Sequence, residues 1–234
     1  MLEYLQEEFI QSSKSLIGGN RMKKQTKLSS ILVHVRDHSS LYLFVVVLFF
    51  MGVIFGAIVV NSMNFSQKQD LLVYLNRFFG QVSQGQLADS REIFFQSFFK
   101  HMRYALLMWV LGISIIGLPV ILVLLFLKGV VVGFTVGFIV SQLSWKGFLL
   151  AFGTILPQNL VAIPAYIVIG ALSVAFSMKM IRQLFAKKIT EPFFQSFLRY
   201  TIVMLIIVAV LGVASLVEAY FSPLLMKSIV GILE

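Results

Sequence analysis

Long uncharged runs alternate with short polar stretches along this chain. The first run, residues 41–60 (LYLFVVVLFFMGVIFGAIVV), carries no charge. At ~1.5 Å per residue it measures about 30 Å, one bilayer hydrocarbon core. The second is expected over about 105–127, ending at Lys128. It holds Pro119, whose missing N–H predicts a kink. The third, about 129–144, is short, and Lys128 is expected in a tight turn between the two. From Gly147 to Met178 no residue is charged, which is too long for one span and too short for two. Leu156-Pro157-Gln158-Asn159 interrupts that stretch. Residues 148–155 therefore read as a short re-entrant or interfacial half-helix, which protein or water must shelter. The fourth span covers about 160–178, with Pro164 in its first turns, where proline is best tolerated. The fifth covers about 200–217, closed by Glu218 and Ser222-Pro223. The expected fold class is all-α: a polytopic membrane bundle of about five transmembrane helices plus the half-helix, with an outer loop at 61–103.

Composition supports this reading. Charged residues make up 12% of the chain and hydrophobic ones 59%, whereas a soluble domain carries about a quarter charged residues to cover its surface. The net charge of +9 suits nucleic acid in principle. Here the basic residues sit between apolar runs, where they report membrane orientation instead, so no nucleic-acid partner is expected. The first run begins behind a long polar segment and is too long for a cleaved signal peptide. There is no cysteine, hence no disulfide framework and no thiolate metal site.

Lys14, Arg21, Lys23, Lys24, Lys27 and Arg36 precede the first span. Lys179, Arg182, Lys187, Lys188 and Arg199 follow the fourth. Five spans put both groups inside and the C-terminus outside, as the positive-inside rule requires. The loop 61–103 then falls outside despite Lys68, Arg77, Arg91, Lys100 and Arg103; its length lets it be translocated. Residues 1–40 form a cytoplasmic N-terminal segment ahead of the membrane domain, 41–234. Met22 opens a basic stretch. Residues 1–21 are either an extension upstream of a native start at Met22 or part of the cytoplasmic segment.

An internal echo is present. Glu92-Ile-Phe-Phe-Gln-Ser-Phe98 matches Glu191-Pro-Phe-Phe-Gln-Ser-Phe197 at six of seven positions. Both read as interfacial amphipathic helices. With five spans they fall on opposite sides, as in the inverted repeats of transporters; convergence on a Phe-rich interfacial pattern is the alternative. Gly52 and Gly56 in the first span, and Gly129, Gly133 and Gly137 in the third, recur every fourth residue. That spacing lines one helix face and admits a second backbone. Packing within one bundle is the favoured outcome, and a homo-oligomer the other. Gln158 and Asn159, between Pro157 and Pro164, must find partners at membrane depth. They either line a substrate path or tie a broken helix to its neighbours. Glu218 is either a functional intramembrane acid or the surface residue that ends its helix.

His34 and His38 stand one helical turn apart but lack a third ligand, so an interfacial helix is the better reading than a metal site; His101 stands alone. No zinc-protease motif, phosphate loop, dinucleotide fingerprint, paired intramembrane acids or serine–histidine pair is present. No catalytic site, metal or cofactor is expected.

Residues 34–62 (HVRDHSSLYLFVVVLFFMGVIFGAIVVNS), 70–86 (DLLVYLNRFFGQVSQGQ), 155–166 (ILPQNLVAIPAY) and 218–223 (EAYFSP) occur in the order of the stage II sporulation protein M family, which the chain resembles from about Met22 onward. The wider family carries a proline-histidine-glycine motif followed by glutamate. Pro157, Gln158, Asn159 and Ala162 occupy those places here, so the titratable pair is missing, which counts against proton-coupled transport. Pro157, Pro164, Glu218 and Pro223 fit the pattern. The resemblance implies a non-enzymatic scaffold for forespore engulfment, in the septal or engulfing mother-cell membrane. It would join two cell-wall hydrolases, a lytic transglycosylase and an amidase/endopeptidase. Tyr74, Phe78 and Phe79 on the outer loop are candidate partner contacts, unless they pack back on the bundle or the lipid. A small-solute transporter or channel is the alternative function.

Overall fold

A computed structural model describes residues 39–83, 89–186 and 193–233. The chain divides into two units, Met1–Leu43 and Phe44–Glu234. Of the first, only residues 39–43, the opening turn of a helix, are described; the proposed start at Met22 and the His34/His38 pair lie outside the described residues. The described elements are all helical: α1 (Ser39–Ser62), α2 (Phe65–Ser83), α3 (Ser90–Ile113), α4 (Gly117–Leu150), a π turn (Ala151–Ile155), α5 (Leu156–Ala186) and α6 (Phe193–Leu233). Among the described residues there is no strand. Four stretches are long and apolar enough to cross a membrane: Ser39–Ser62, Gly117–Trp145, Leu156–Gln183 and Phe193–Leu225. The protein is an all-α membrane helix bundle.

α1 is apolar all round, yet it buries a single stripe of Val45, Phe49, Gly52, Gly56 and Val60. Phe44, Phe50, Ile54 and Ile58 stay exposed, as lipid-facing residues do. Its stripe lies on α4 with the two helices parallel: Gly52 meets the backbone of Phe126 and Val130, and Gly137 that of Ala57. The remaining directions follow from contacts in the same way. His101 meets Tyr166 and Ser177 donates to the Ser114 carbonyl, so α3 and α5 are parallel. Ser97 meets Glu218 and Trp109 meets Thr201, so α3 and α6 are antiparallel. Lys128 stands over Tyr166 and Leu125 meets Gly170, so α4 and α5 are antiparallel. α3 is too charged to rank with the four apolar stretches, but it runs through the bundle beside α5 and α6 and buries Ser97, His101, Ala105, Met108 and Gly112.

Five sequence expectations are corrected by these helices. First, the chain does not turn at Lys128. α4 is continuous from Gly117 past Lys128, and the break falls at residues 114–116. There Ser114 N–H donates to the Leu111 carbonyl and Gly117 N–H to that of Ser114. A Cβ on Gly117 would come within 2.9 Å of Leu111 Cα, so a side chain would force the turn open. Pro119 sits just after this break, in the first turn of α4, where its missing N–H is not needed; it does not kink a span. The predicted spans 105–127 and 129–144 are thus replaced by α3 and α4.

Second, residues 148–155 are not a separate half-helix. The chain reverses at Ser144 (φ 50°, ψ −128°). From there it runs back along α4, with Ala151 packed on Ile139 beside Val136, Leu143 and Ile155. Third, Pro157 does not interrupt a helix. The π turn ends two residues before it and leads without a gap into α5; a wider turn accommodates a residue whose ring crowds the carbonyl four places back. Fourth, the described residues of 61–103 are not a loop: Phe65–Ser83 form α2, and Ser90 onward is the first half of α3. Asn64 N–H donates to Gln67 Oε1 at 3.1 Å, half of a capping box that starts α2. Fifth, α6 does not stop at Glu218; it continues through Pro223.

Candidate functional site

The first correction decides where Lys128 lies. At ~1.5 Å per residue it sits about 16 Å from the Gly117 end of α4 and about 24 Å from Ser144. That is mid-height in a helix long and apolar enough to span a membrane. Its ammonium is placed 4.7 Å from the Tyr166 ring centroid and 5.4 Å from that of Tyr104. Two electron-rich faces from α5 and α3 thereby offset part of the cost of holding a cation in an apolar bundle.

Four more polar groups adjoin these three. α3 presents Ser97, His101 and Tyr104 at helical spacing, the first two on its buried stripe. Tyr104 O–H donates to the Leu124 carbonyl of α4. His101 Nδ1 is hydrogen-bonded to the Tyr166 hydroxyl of α5, and its Nε2 stands 3.7 Å from Glu218 Oε2 of α6. Ser97 O–H donates to the same carboxylate oxygen. Lys100, one residue from His101, is within electrostatic reach of both Glu218 and Lys128. Four helices therefore converge on one histidine, one acid, one lysine and two tyrosines. The His101 side chain is 9% exposed and the Glu218 side chain 27%, so the acid is the more exposed end of the cluster. Glu218 lies inside α6 and does not end it.

The Phe-Phe-Gln-Ser echo has a structural counterpart. Its two copies begin α3 and α6, which pack antiparallel, so they lie at opposite ends of the pair. Each copy turns its serine and the residue four places on into the bundle. The first engages Glu218 and Tyr166 as described. In the second, Ser196 accepts from Lys179 Nζ at 2.8 Å, and the Tyr200 hydroxyl meets Ser173 Oγ at 2.9 Å.

The other candidate residues are placed as follows. Gly52 and Gly56 meet the α4 backbone at Phe126, Val130 and Phe134, and Gly129, Gly133 and Gly137 meet that of α1 at Phe49, Val53 and Ala57, all in the α1–α4 seam. Asn159 Nδ2 donates to the Ile155 carbonyl at 2.8 Å, within its own helix at the π turn. Gln158 Oε1 is buried without a hydrogen-bond partner among the described residues. Pro157 is partly buried and Pro164 exposed, both within α5. Tyr74 lies on α2 and is 68% exposed. Phe78 and Phe79 are on the same helix, but their side chains lie outside what is described.

Sequence reasoning does not pick out Ser97, His101, Tyr104, Lys128 and Tyr166 as a group. The usable signal is the 97–101–105–108–112 stripe of α3, which threads a serine and a histidine through an otherwise apolar face.

The family model for stage II sporulation protein M matches residues 45–223, nearly the whole of the described bundle. The chain belongs to that family. No curated protein and no solved structure matches it. Stage II sporulation protein M membership, with the four long apolar stretches, makes this a sporulation-related, multi-pass membrane protein. The matched segment includes α3, α4, α5 and α6 as far as Pro223, and so every residue of the polar cluster.

Proposed function

We propose that this protein is a membrane scaffold for forespore engulfment, which recruits peptidoglycan hydrolases, a lytic transglycosylase and an amidase/endopeptidase, to the septal membrane. Family membership carries this reading. The position of α2 suits it. With the N-terminus inside, α1 delivers α2 to the outer, wall-facing side, where Phe65 and Tyr74, 81% and 68% exposed, offer aromatic contacts of the kind that anchor protein interfaces. No chemistry is required of the scaffold, since its partners do the cutting.

The test replaces α2 by a polar helix of equal length in sporulating cells that carry fluorescently tagged hydrolases. The expected result is loss of hydrolase enrichment at the septum, with membrane levels of the protein unchanged by immunoblot. Full enrichment with the altered α2 removes the proposed contact surface. One observation favours a second reading, a small-solute transporter: Lys128 at mid-height of α4, since ionisable side chains at that depth mark solute and ion paths. Solute flux into liposomes that contain the purified protein and no hydrolase would favour that reading over the scaffold.

A further inference from the structure

We propose that His101 is an intramembrane proton-binding site, in which Nδ1 gains and loses the proton while Nε2–H stays directed at Glu218. The two ring nitrogens face groups of different character. On one side is a carboxylate, which when ionised only accepts hydrogen bonds. The Glu218 oxygen at 3.7 Å from Nε2 therefore selects the form with hydrogen on Nε2. On the other side is the Tyr166 hydroxyl, which donates or accepts by rotating its hydrogen. With His101 neutral, Tyr166 O–H donates to Nδ1. With His101 protonated, Nδ1–H donates to the Tyr166 oxygen. Each state keeps the ring's hydrogen bond to Tyr166, and the protonated state adds attraction to Glu218.

Of the groups on the packed elements, Glu218 from α6 and Tyr166 from α5 face the ring's two nitrogens; Lys128 from α4 stands over the Tyr166 and Tyr104 rings, and on α3 itself Ser97 holds the Glu218 carboxylate and Lys100 is next in sequence to His101. With Lys128 charged and Glu218 ionised, the buried part of the cluster is balanced when His101 is neutral. Proton uptake adds one positive charge and strengthens the link between α3 and α6, the two helices that carry the Phe-Phe-Gln-Ser echo. The site uses residues away from the Pro157-Gln158-Asn159 segment, and proton binding of this kind requires no transport.

The test uses the full-length protein in lipid nanodiscs, with ¹⁵N-labelled histidine. The chain has three histidines, so the His34→Gln/His38→Gln double variant leaves His101 as the sole reporter. The expected result is a ring that passes from the Nε2–H neutral form to the doubly protonated form as pH falls. Glu218→Gln should then move the midpoint to lower pH, since the neighbouring negative charge is gone. Tyr166→Phe, an independent variant should Glu218→Gln fold poorly, removes a hydrogen bond from both states; the protonated ring loses the stronger, charge-assisted one, so the midpoint also falls. A ring locked in one form across the whole range in which the protein stays folded overturns the proposal. So does a midpoint that neither substitution moves.

Discussion

Gly133→Ala and Gly56→Ala are each expected to lower stability by about 1–3 kcal/mol, the usual cost of overpacking a well-filled contact. The reason is the α1–α4 seam. A Cβ on Gly133 would lie 2.7 Å from the carbonyl carbon and 2.8 Å from the Cα of Val53; one on Gly56 would lie 2.7 Å from the Phe134 nitrogen. These neighbours are backbone atoms and cannot turn aside as a side chain does, so the helices must separate. Separation forfeits van der Waals contact along the whole seam, and in lipid no hydrophobic force compensates for it. Two further glycines grade the effect. Gly137 would meet Ala57 Cα at 3.3 Å, so its alanine variant should cost less. A Cβ on Gly80 of α2 would have nothing within 4 Å, so Gly80→Ala should be neutral or stabilising through helix propensity. Unfolding in mixed micelles of increasing SDS fraction reads the series directly. Equal midpoints for Gly133→Ala and Gly80→Ala would show that the seam does not hold the bundle together.

Glu218→Ala is expected to lower stability by about 1–3 kcal/mol, the cost of removing a charged hydrogen-bond acceptor from buried partners. The Ser97 hydroxyl loses its acceptor, His101 Nε2 loses the carboxylate beside it, and α6 loses its polar tie to α3 at that level. Glu218→Gln should cost less, because an amide oxygen still accepts from Ser97. Combining Glu218→Ala with His101→Ala tests whether the two act together. A coupling energy of about 0.5 kcal/mol or more is expected for residues in one network. Strict additivity in the same SDS titration would mean that the acid and the histidine stabilise the bundle separately.

These two results concern the parts of the molecule that are, respectively, readable and unreadable in the sequence. The glycine stripes are readable because spacing of four defines a helix face whatever it packs on. The first span is readable because its twenty apolar residues allow no other element. Lys128 misleads because a cation between two apolar runs is ordinarily an interfacial residue; what keeps it at mid-height is the pair of rings of Tyr104 and Tyr166, brought from two other helices. The turn at 114–116 is hidden by its own apolarity: in Ser114-Ile-Ile-Gly117-Leu-Pro119 only the glycine and proline mark a break. Residues 61–103 read as a loop because their charges are scattered, although the Asn64–Gln67 spacing already carries the cap. His101 looks solitary because Glu218 and Tyr166, its partners, lie far along the chain.

The polar cluster exists only if α4 runs unbroken through Lys128. The chain has no cysteine, so single cysteines report their surroundings without background. In intact membrane vesicles, a membrane-impermeant maleimide is applied from each side to Met63→Cys, Ile116→Cys and Lys128→Cys. Because α1 and α4 are parallel, the predicted result is labelling of Met63→Cys from one side and of Ile116→Cys from the other. Lys128→Cys should stay unlabelled from both sides until the protein is unfolded in SDS. Labelling of Lys128→Cys from one side as fast as of Ile116→Cys would place a turn at the membrane surface there and contradict the intramembrane cluster.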